Sequence, residues 1–246
     1  MTRRKVFLLR LGATASLLLL VFGLVRLLWY PGAYFAIFGV ARLLLVLVAV
    51  TLIVGPGLST FVYKPGKKGL RTDLGLLAAL ELVTVTVAVS IIYVRQPFFT
   101  VFAVDRFEAV SSAEIDMAQI GHDVIRTRPG REPRLVYAEL PQDPEVFSKL
   151  IDETVFEGKV DIDRRPEFWR PYTAGIPVIK AAAKPLVTLL DGDERRAARV
   201  HRWLSRQKGS PENYVYLPLR GKTGDAAMIL HADVGYPVDI LEVDPW

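Results

Sequence analysis

Residues 11–25 carry no charged side chain, and the apolar run around them, 6–28, is long enough to cross a hydrocarbon layer as a helix of about 20 residues. Two more runs of this kind follow, at 43–63 and 74–93. Beyond residue 94 apolar and charged residues mix. The reading is a membrane anchor of three transmembrane α-helices in 1–94, then a soluble α+β domain in 95–246 that ends in an antiparallel β-meander. Charge divides at the same place. Residues 1–94 hold ten Lys or Arg and two acids, and 95–246 hold 21 basic and 24 acidic residues. The net charge of +5 therefore belongs to the anchor. A mildly acidic outer part without a binding motif argues against a nucleic-acid partner. The absence of cysteine excludes disulfides, thiolate zinc sites and a cysteine nucleophile.

Arg10 and Arg26 stand near the two ends of the first run, where long side chains snorkel to the headgroups. Arg3, Arg4 and Lys5 resemble the basic start of a signal peptide or a twin-arginine signal. No small-x-small cleavage site follows, however, and more spans do. Trp29, Tyr30, Pro31 and Gly32 make an aromatic turn suited to a membrane interface. Arg42 is costly at mid-membrane, so residues 33–41 are expected on or just outside the bilayer, with the second span starting at 43. The loop of Lys64, Lys67, Lys68 and Arg71, with the basic N-terminal tail, sets the orientation by the positive-inside rule. The N-terminus is expected in the cytoplasm and the C-terminal domain outside it, which in a bacterium means an inner-membrane protein with a periplasmic domain.

Glu81 lies well inside the third span, and an intramembrane carboxylate is a functional candidate by default. Arg10 sits at similar depth in the first. The two are expected to pair with each other, or Glu81 to stay protonated near the interface, or one of them to meet a charge on a partner's transmembrane helix. Gly55, Pro56 and Gly57 interrupt the second span, marking a kink or a close helix approach.

In the outer part, residues 98–104 read as one buried strand, the hinge between anchor and domain. A short helix is expected over 111–121, a basic turn over 126–133 and a strand over 134–140. A helix follows over 144–156, capped by Asp143, with Val146, Phe147, Leu150 and Ile151 on one face. Residues 168–172 are aromatic without a periodic pattern, and 179–190 are apolar but broken by Pro185. A helix is expected from Asp193 to about Gln207, with Ala197, Val200, Trp203 and Leu204 inward. Three strands close the domain at 214–219, 226–231 and 238–243.

A catalytic constellation does not emerge. Gly221-Lys222-Thr223 lacks the earlier glycine of a phosphate loop, since Tyr216 stands there, and reads as a turn. His122, His201 and His231 are isolated from one another. Asp161 with Asp163, and Asp191 with Asp193 and Glu194, lack calcium-loop spacing. No cofactor or metal is expected.

The stretch from Gly55-Pro56-Gly57 through Lys64-Pro65-Gly66 to Leu74 carries a family resemblance. So do Phe102-Ala103-Val104-Asp105-Arg106-Phe107-Glu108-Ala109-Val110, Gly224-Asp225, and Ile240 to the Asp244-Pro245-Trp246 ending. Together these resemble the TfpX/TfpZ type IV pilin accessory proteins over most of the chain. The family often has Gly-Pro-Leu-Leu-Thr where this chain has Gly55-Pro56-Gly57-Leu58-Ser59-Thr60. The resemblance implies a chaperone-like factor for a cognate major type IV pilin, acting in the inner membrane with other pilus assembly proteins and membrane lipids around it. It also implies that Arg10 meets the glutamate near the start of a pilin's hydrophobic helix. Asp105, Arg106 and Phe107 are then expected either to contact the pilin head or to form a structural Asp–Arg pair. A structural subunit of the assembly platform and a membrane-tethered periplasmic enzyme are the alternative readings.

Overall fold

The structure, a computed structural model, describes residues 2–127, 130–207 and 209–246. It divides into two compact units. One comprises the chain up to Tyr30 together with Gly39–Arg95, and the other Pro31–Phe38 together with Gln96–Trp246.

In the first unit, helix α1 (Arg3–Leu24) widens into a π turn, Val25–Trp29. The short helix α2 (Tyr34–Ile37) belongs to the second unit. Helix α3 (Val40–Leu52) then runs through another π turn, Ile53–Gly57, into α4 (Leu58–Val62), and α5 (Leu70–Val94) completes the unit. The segments Arg3–Trp29, Val40–Val62 and Leu70–Val94 are each long and apolar enough to cross a membrane. Their outward side chains include Leu19, Leu45, Phe61 and Leu76, a surface that suits lipid better than water. The second of these helices starts at Val40 rather than at the expected 43, so Arg42 lies exposed in its first turn. Pro56 has no amide to donate, and the π turn around it absorbs the missing hydrogen bond. At the far end of α1, Trp29 packs edge-on against Tyr93 and the Tyr30 hydroxyl donates to the Ile92 carbonyl at 2.8 Å.

The second unit is built on a mixed sheet in the order β4-β3-β1-β2-β6-β7-β8, with β5 paired to β6. The strands are β1 (Pro97–Ala103), β2 (Arg106–Ser111), β3 (Arg134–Ala138), β4 (Trp169–Pro171), β5 (Lys184–Pro185), β6 (Tyr214–Arg220), β7 (Asp225–His231) and β8 (Pro237–Leu241). Pairs β1–β3 and β2–β6 are parallel and the rest antiparallel, so β6, β7 and β8 form the expected meander. Alternation along β1 sends Phe99, Val101 and Ala103 into one core, with Val136, Leu150, Ile162 and Trp169. The intervening Phe102 packs against Phe107 and Tyr137. A strand buried on both faces reads as an unbroken apolar run, which is how this one appears in the sequence. A second core holds Leu186, Leu189, Val200, Trp203, Tyr214, Ala227 and Ile229.

Three helices complete this unit: α6 (Pro144–Val155), α7 (Tyr172–Ala182) and α8 (Glu194–Leu204). Several expectations are corrected. The strand at 98–104 is the first arm of a hairpin whose second arm is β2. Residues 111–121 form two short 3-10 turns, Ser112–Glu114 and Met117–Gln119, because Asp116 starts a new cap before a second α turn can close. On α6 only Leu150 of the expected face is buried; Val146, Phe147 and Ile151 are exposed. Its rotation is set instead by the buried carboxylate of Glu153, held by Arg165 at 2.8 Å and Lys159 at 3.0 Å. The unassigned aromatics at 168–172 lead into β4 and α7, and the apolar stretch 179–190 becomes the end of α7, β5 and a 3-10 helix, Leu186–Leu190. Of the basic turn, Arg128 and Pro129 lie outside the described residues.

Residues Pro31–Phe38 stand between two membrane-capable helices in sequence yet fold into the second unit. The Tyr34 hydroxyl and Thr100 Oγ1 of β1 share a hydrogen bond of 2.6 Å. At the other end the amide of Thr223 donates to the Ile37 carbonyl at 2.9 Å. The loop carrying Thr223 comes so close that a Cβ on Gly221 would lie 2.5 Å from the Ile37 carbonyl oxygen. Gly221→Ala should therefore force this segment out of its seat at a cost of about 1–3 kcal/mol. Thr223→Val keeps the amide bond and should cost about 1 kcal/mol or less. Thermal unfolding of the full chain, with limited proteolysis across 31–38, checks both.

Candidate functional site

The intramembrane residues singled out in the sequence converge. Arg10 Nη2 lies 3.2 Å from Glu81 Oε2, and Arg10 Nε donates to Ser59 Oγ at 3.0 Å. The Thr14 hydroxyl donates to Glu81 Oε1 at 2.5 Å. Glu81, Thr14 and Ser59 are all buried. Helix geometry explains the cluster: Arg10 and Thr14 are four residues apart on α1, and Gly55 and Ser59 four apart across the second π turn, so each pair shares a face. Gly55 supplies the space. A Cβ there would stand 2.6 Å from Thr14 Oγ1 and 2.7 Å from Glu81 Oε1. Gly57 does not line the cluster; a Cβ at that position meets the Leu52 carbonyl at 3.2 Å. Pro56 shapes the turn that carries Gly55. Thr14 and Ser59 escaped the sequence reading, although their four-residue spacing from Arg10 and Gly55 is a signal that finds them.

The arrangement can hold a carboxylate in an apolar setting, and it keeps one cationic donor only partly used. Arg10 Nη2 makes no aligned hydrogen bond among the described residues despite its nearness to Glu81. Arg10 Nε is committed to Ser59, so the spare capacity lies in Nη2 alone.

The other sequence candidates sit on the β1–β2 hairpin. The amide of Asp105 donates to the Ala103 carbonyl at 2.7 Å, closing a tight reversal about Val104 at φ +59°. That conformation is rare for a β-branched residue and stores strain at an exposed tip. Asp105 pairs with Arg106 at 2.9 Å, and Arg106 Nε donates to Glu108 Oε1 at 2.9 Å. Asp105 is exposed and Arg106 half-buried. Phe107 is 0% exposed, packed between Phe102 and Tyr172, so it has no surface to offer a partner. Behind the hairpin, Glu108 is also approached by Arg220 at 3.6 Å and Arg164 at 3.8 Å. Arg164 further pairs with Asp163 and, at 3.0 Å, with Glu114, which in turn binds Lys222. Burial would raise the Glu114 carboxyl, but hydrogen bonds from Lys222, the Ser111 amide and Arg164 outweigh it and hold the group at about 2. Asp163 goes the other way. Burial pushes its carboxyl up to about 6 against the pull of Arg164, with Glu108 and Asp161 adding to the push. Asp161 itself caps the 3-10 turn Ile162–Arg164, and Asp193 caps α8.

Fold and site thus define a class: a chain with three membrane-capable helices, a charge cluster among them, and a mixed-sheet domain whose charged residues pair in a network. Two proteins of Dichelobacter nodosus are similar to it over most of its length. A fimbrial assembly protein of serogroup I is 27% identical over 219 residues, covering 87% of this chain and 82% of that protein. A fimbrial assembly protein of serogroup E1 is 26% identical over 203 residues, covering 80% and 78%. No known family model and no solved structure matches the chain.

Gly55→Ala should lower stability by about 1–3 kcal/mol through the clash with Thr14 and Glu81. Gly75→Ala, on α5 with nothing within 4 Å of the added Cβ, should be near neutral. Detergent-solubilised thermal unfolding of the two variants separates the outcomes. Asp163 gives a pH signature. A carboxyl whose folded pKa of about 6 exceeds its ordinary value of 3.8 binds protons more tightly in the folded state, so its contribution improves as pH falls through that window. Glu114 acts oppositely, losing stabilisation as pH falls from its ordinary value of 4.5 toward about 2. Unfolding midpoints should therefore rise from pH 7 toward pH 5, and Asp163→Asn should flatten that rise.

Proposed function

We propose that this protein is a non-enzymatic accessory factor in type IV pilus biogenesis that engages its cognate pilin in the bacterial inner membrane and promotes the pilin's stability, assembly or surface display. The observation that carries this reading is the similarity to two fimbrial assembly proteins along four-fifths or more of the chain. The resemblance of the Phe102 to Val110 run and of the Asp244-Pro245-Trp246 ending to the TfpX/TfpZ accessory proteins supports the finer assignment. In this reading the N-terminus is cytoplasmic and the second unit periplasmic. The basic loop at Lys64, Lys67, Lys68 and Arg71 favours that orientation. The shared folding of Pro31–Phe38 with Gln96–Trp246 agrees with both emerging on one side.

A pilin precursor offers a hydrophobic helix in the bilayer and a globular head outside it. Arg10 is the residue proposed to meet the helix. Its ion pair with Glu81 compensates the buried charge in the absence of pilin, and a partner carboxylate would share that pairing. Asp105 and Arg106, beside the strained Val104, are the residues proposed to meet the head.

Photo-crosslinking tests this in pilus-producing cells. A photoreactive residue replaces either Leu9, exposed beside Arg10 on α1, or Val104 at the hairpin tip. Pilin adducts at Leu9 indicate grip on the helix, and at Val104 grip on the head. Adducts only with other assembly proteins, unchanged when the pilin gene is replaced by a divergent one, identify a platform subunit. The absence of any pilin adduct at both positions overturns the proposal.

A further inference from the structure

Helix α8 carries Arg195, Arg199 and Arg202, and Arg206 follows in the next turn. The intervals of four and three residues place Arg195, Arg199 and Arg202 on one face, along roughly 10 Å of axis, and Arg206 follows beyond the helix end at Leu204. Each is exposed. Among the described residues none of the four forms an ion pair, in a unit whose other exposed cations commonly do. Arg199 donates to the Glu242 carbonyl and Arg202 Nε to its own helix at Ala198, at 3.2 Å. Their neighbour Arg196 behaves differently, turning in to the carbonyls of Leu189 and Trp246 at 3.1 and 3.2 Å. The apolar side of the helix, Val200 and Trp203, is spent on the core. Ala198, His201 and Ser205 fill the stripe's margins. Such a helix cannot insert into a bilayer, but it can lie on charged headgroups.

What selects the partner is where the stripe begins. Arg195 and Arg199 line a cleft with Ala36 and Ile37, in company with Asp193, Asp225, Glu242 and Asp244. Ile37 ends α2 only three residues before the membrane-capable Val40–Val62 helix in the chain, so the cleft at this end of α8 includes a residue that leads directly into that helix. The unit's first strand likewise begins at Pro97, close behind Val94 at the end of the third such helix. We propose that Arg195, Arg199, Arg202 and Arg206 dock on the phosphates of anionic phospholipid headgroups and hold α8 along the bilayer surface. Guanidinium groups bind phosphate oxygens bidentately, which suits an all-arginine stripe. The acids of the cleft oppose close approach at its floor, leaving Arg202 and Arg206 as the cations farthest along the stripe from them. The inference rests on the membrane-capable helices and not on the pilin reading.

The full chain is reconstituted in nanodiscs of phosphatidylcholine alone or mixed with phosphatidylglycerol, and amide hydrogen exchange is followed across α8. Each arginine at an anionic surface contributes roughly a factor of five. Exchange in α8 should therefore slow about tenfold or more in the anionic discs, and the effect should shrink with added salt. Arg202→Glu with Arg206→Glu should abolish it, while β6 and β7 keep their protection as evidence of folding. Equal exchange in the two lipids overturns the proposal. Protection that appears in both lipids only when purified pilin is added also overturns it, and makes the stripe a protein-docking surface.

Discussion

The carboxylate of Glu81 is the constraint around which the helices of the first unit are arranged. In an apolar medium it cannot stand alone, because removing one member of such a pair costs about 3–5 kcal/mol. Arg10 and Thr14 reach it from α1, Ser59 holds the Arg10 guanidinium from α4, and Gly55 clears the space where any larger residue would collide. Contributions thus come from every membrane-capable segment at one level. Apolar packing alone would tolerate rotation of such helices about their axes; a shared charge does not. The π turn at Ile53–Gly57 follows from this, since it brings Gly55 and Ser59 to the cluster while accommodating Pro56.

In the second unit the comparable element is β1. It is buried on both faces, so it needs cover on both. One side receives Val136, Leu150 and Trp169. The other receives Phe107, Tyr137 and, from a distant part of the chain, Tyr34. The segment that supplies Tyr34 is continuous with α3 through Gly39, and its far end is fixed by Thr223 and Gly221. An apparent interhelical loop is thereby a structural part of the second unit.

How much of this was legible depended on whether the signal was local. Apolar length gave the three helices, and a cap plus an arginine-rich last turn gave α8. Period-two stretches gave β3 and the closing meander. The Arg10–Glu81 pairing was legible because charges in apolar runs have few compatible partners. Thr14 and Ser59 were not, since polar hydroxyls are ordinary in membrane helices until a charge is placed four residues away. The hairpin at Val104 was missed because its turn contains no glycine or asparagine, and a valine at positive φ contradicts every turn preference. The face of α6 was misjudged because amphipathicity predicts rotation only when apolar contact dominates, and here the Glu153–Arg165 pair does.

The chain's charges fall into two kinds, and the difference bears on function. Glu81, Glu108, Glu114 and Glu153 are buried or half-buried and matched by cations. Each is committed to holding helices, hairpin or loops in place, and its loss would be felt first as instability. Asp105, Arg195, Arg199, Arg202 and Arg206 are exposed, and beyond local contacts they are not needed to neutralise anything buried. Arg10 stands between the two kinds, paired with Glu81 yet with a donor not fully engaged. Giving up Glu81 would strand a buried carboxylate, so that donor has room for a second acceptor only alongside the first.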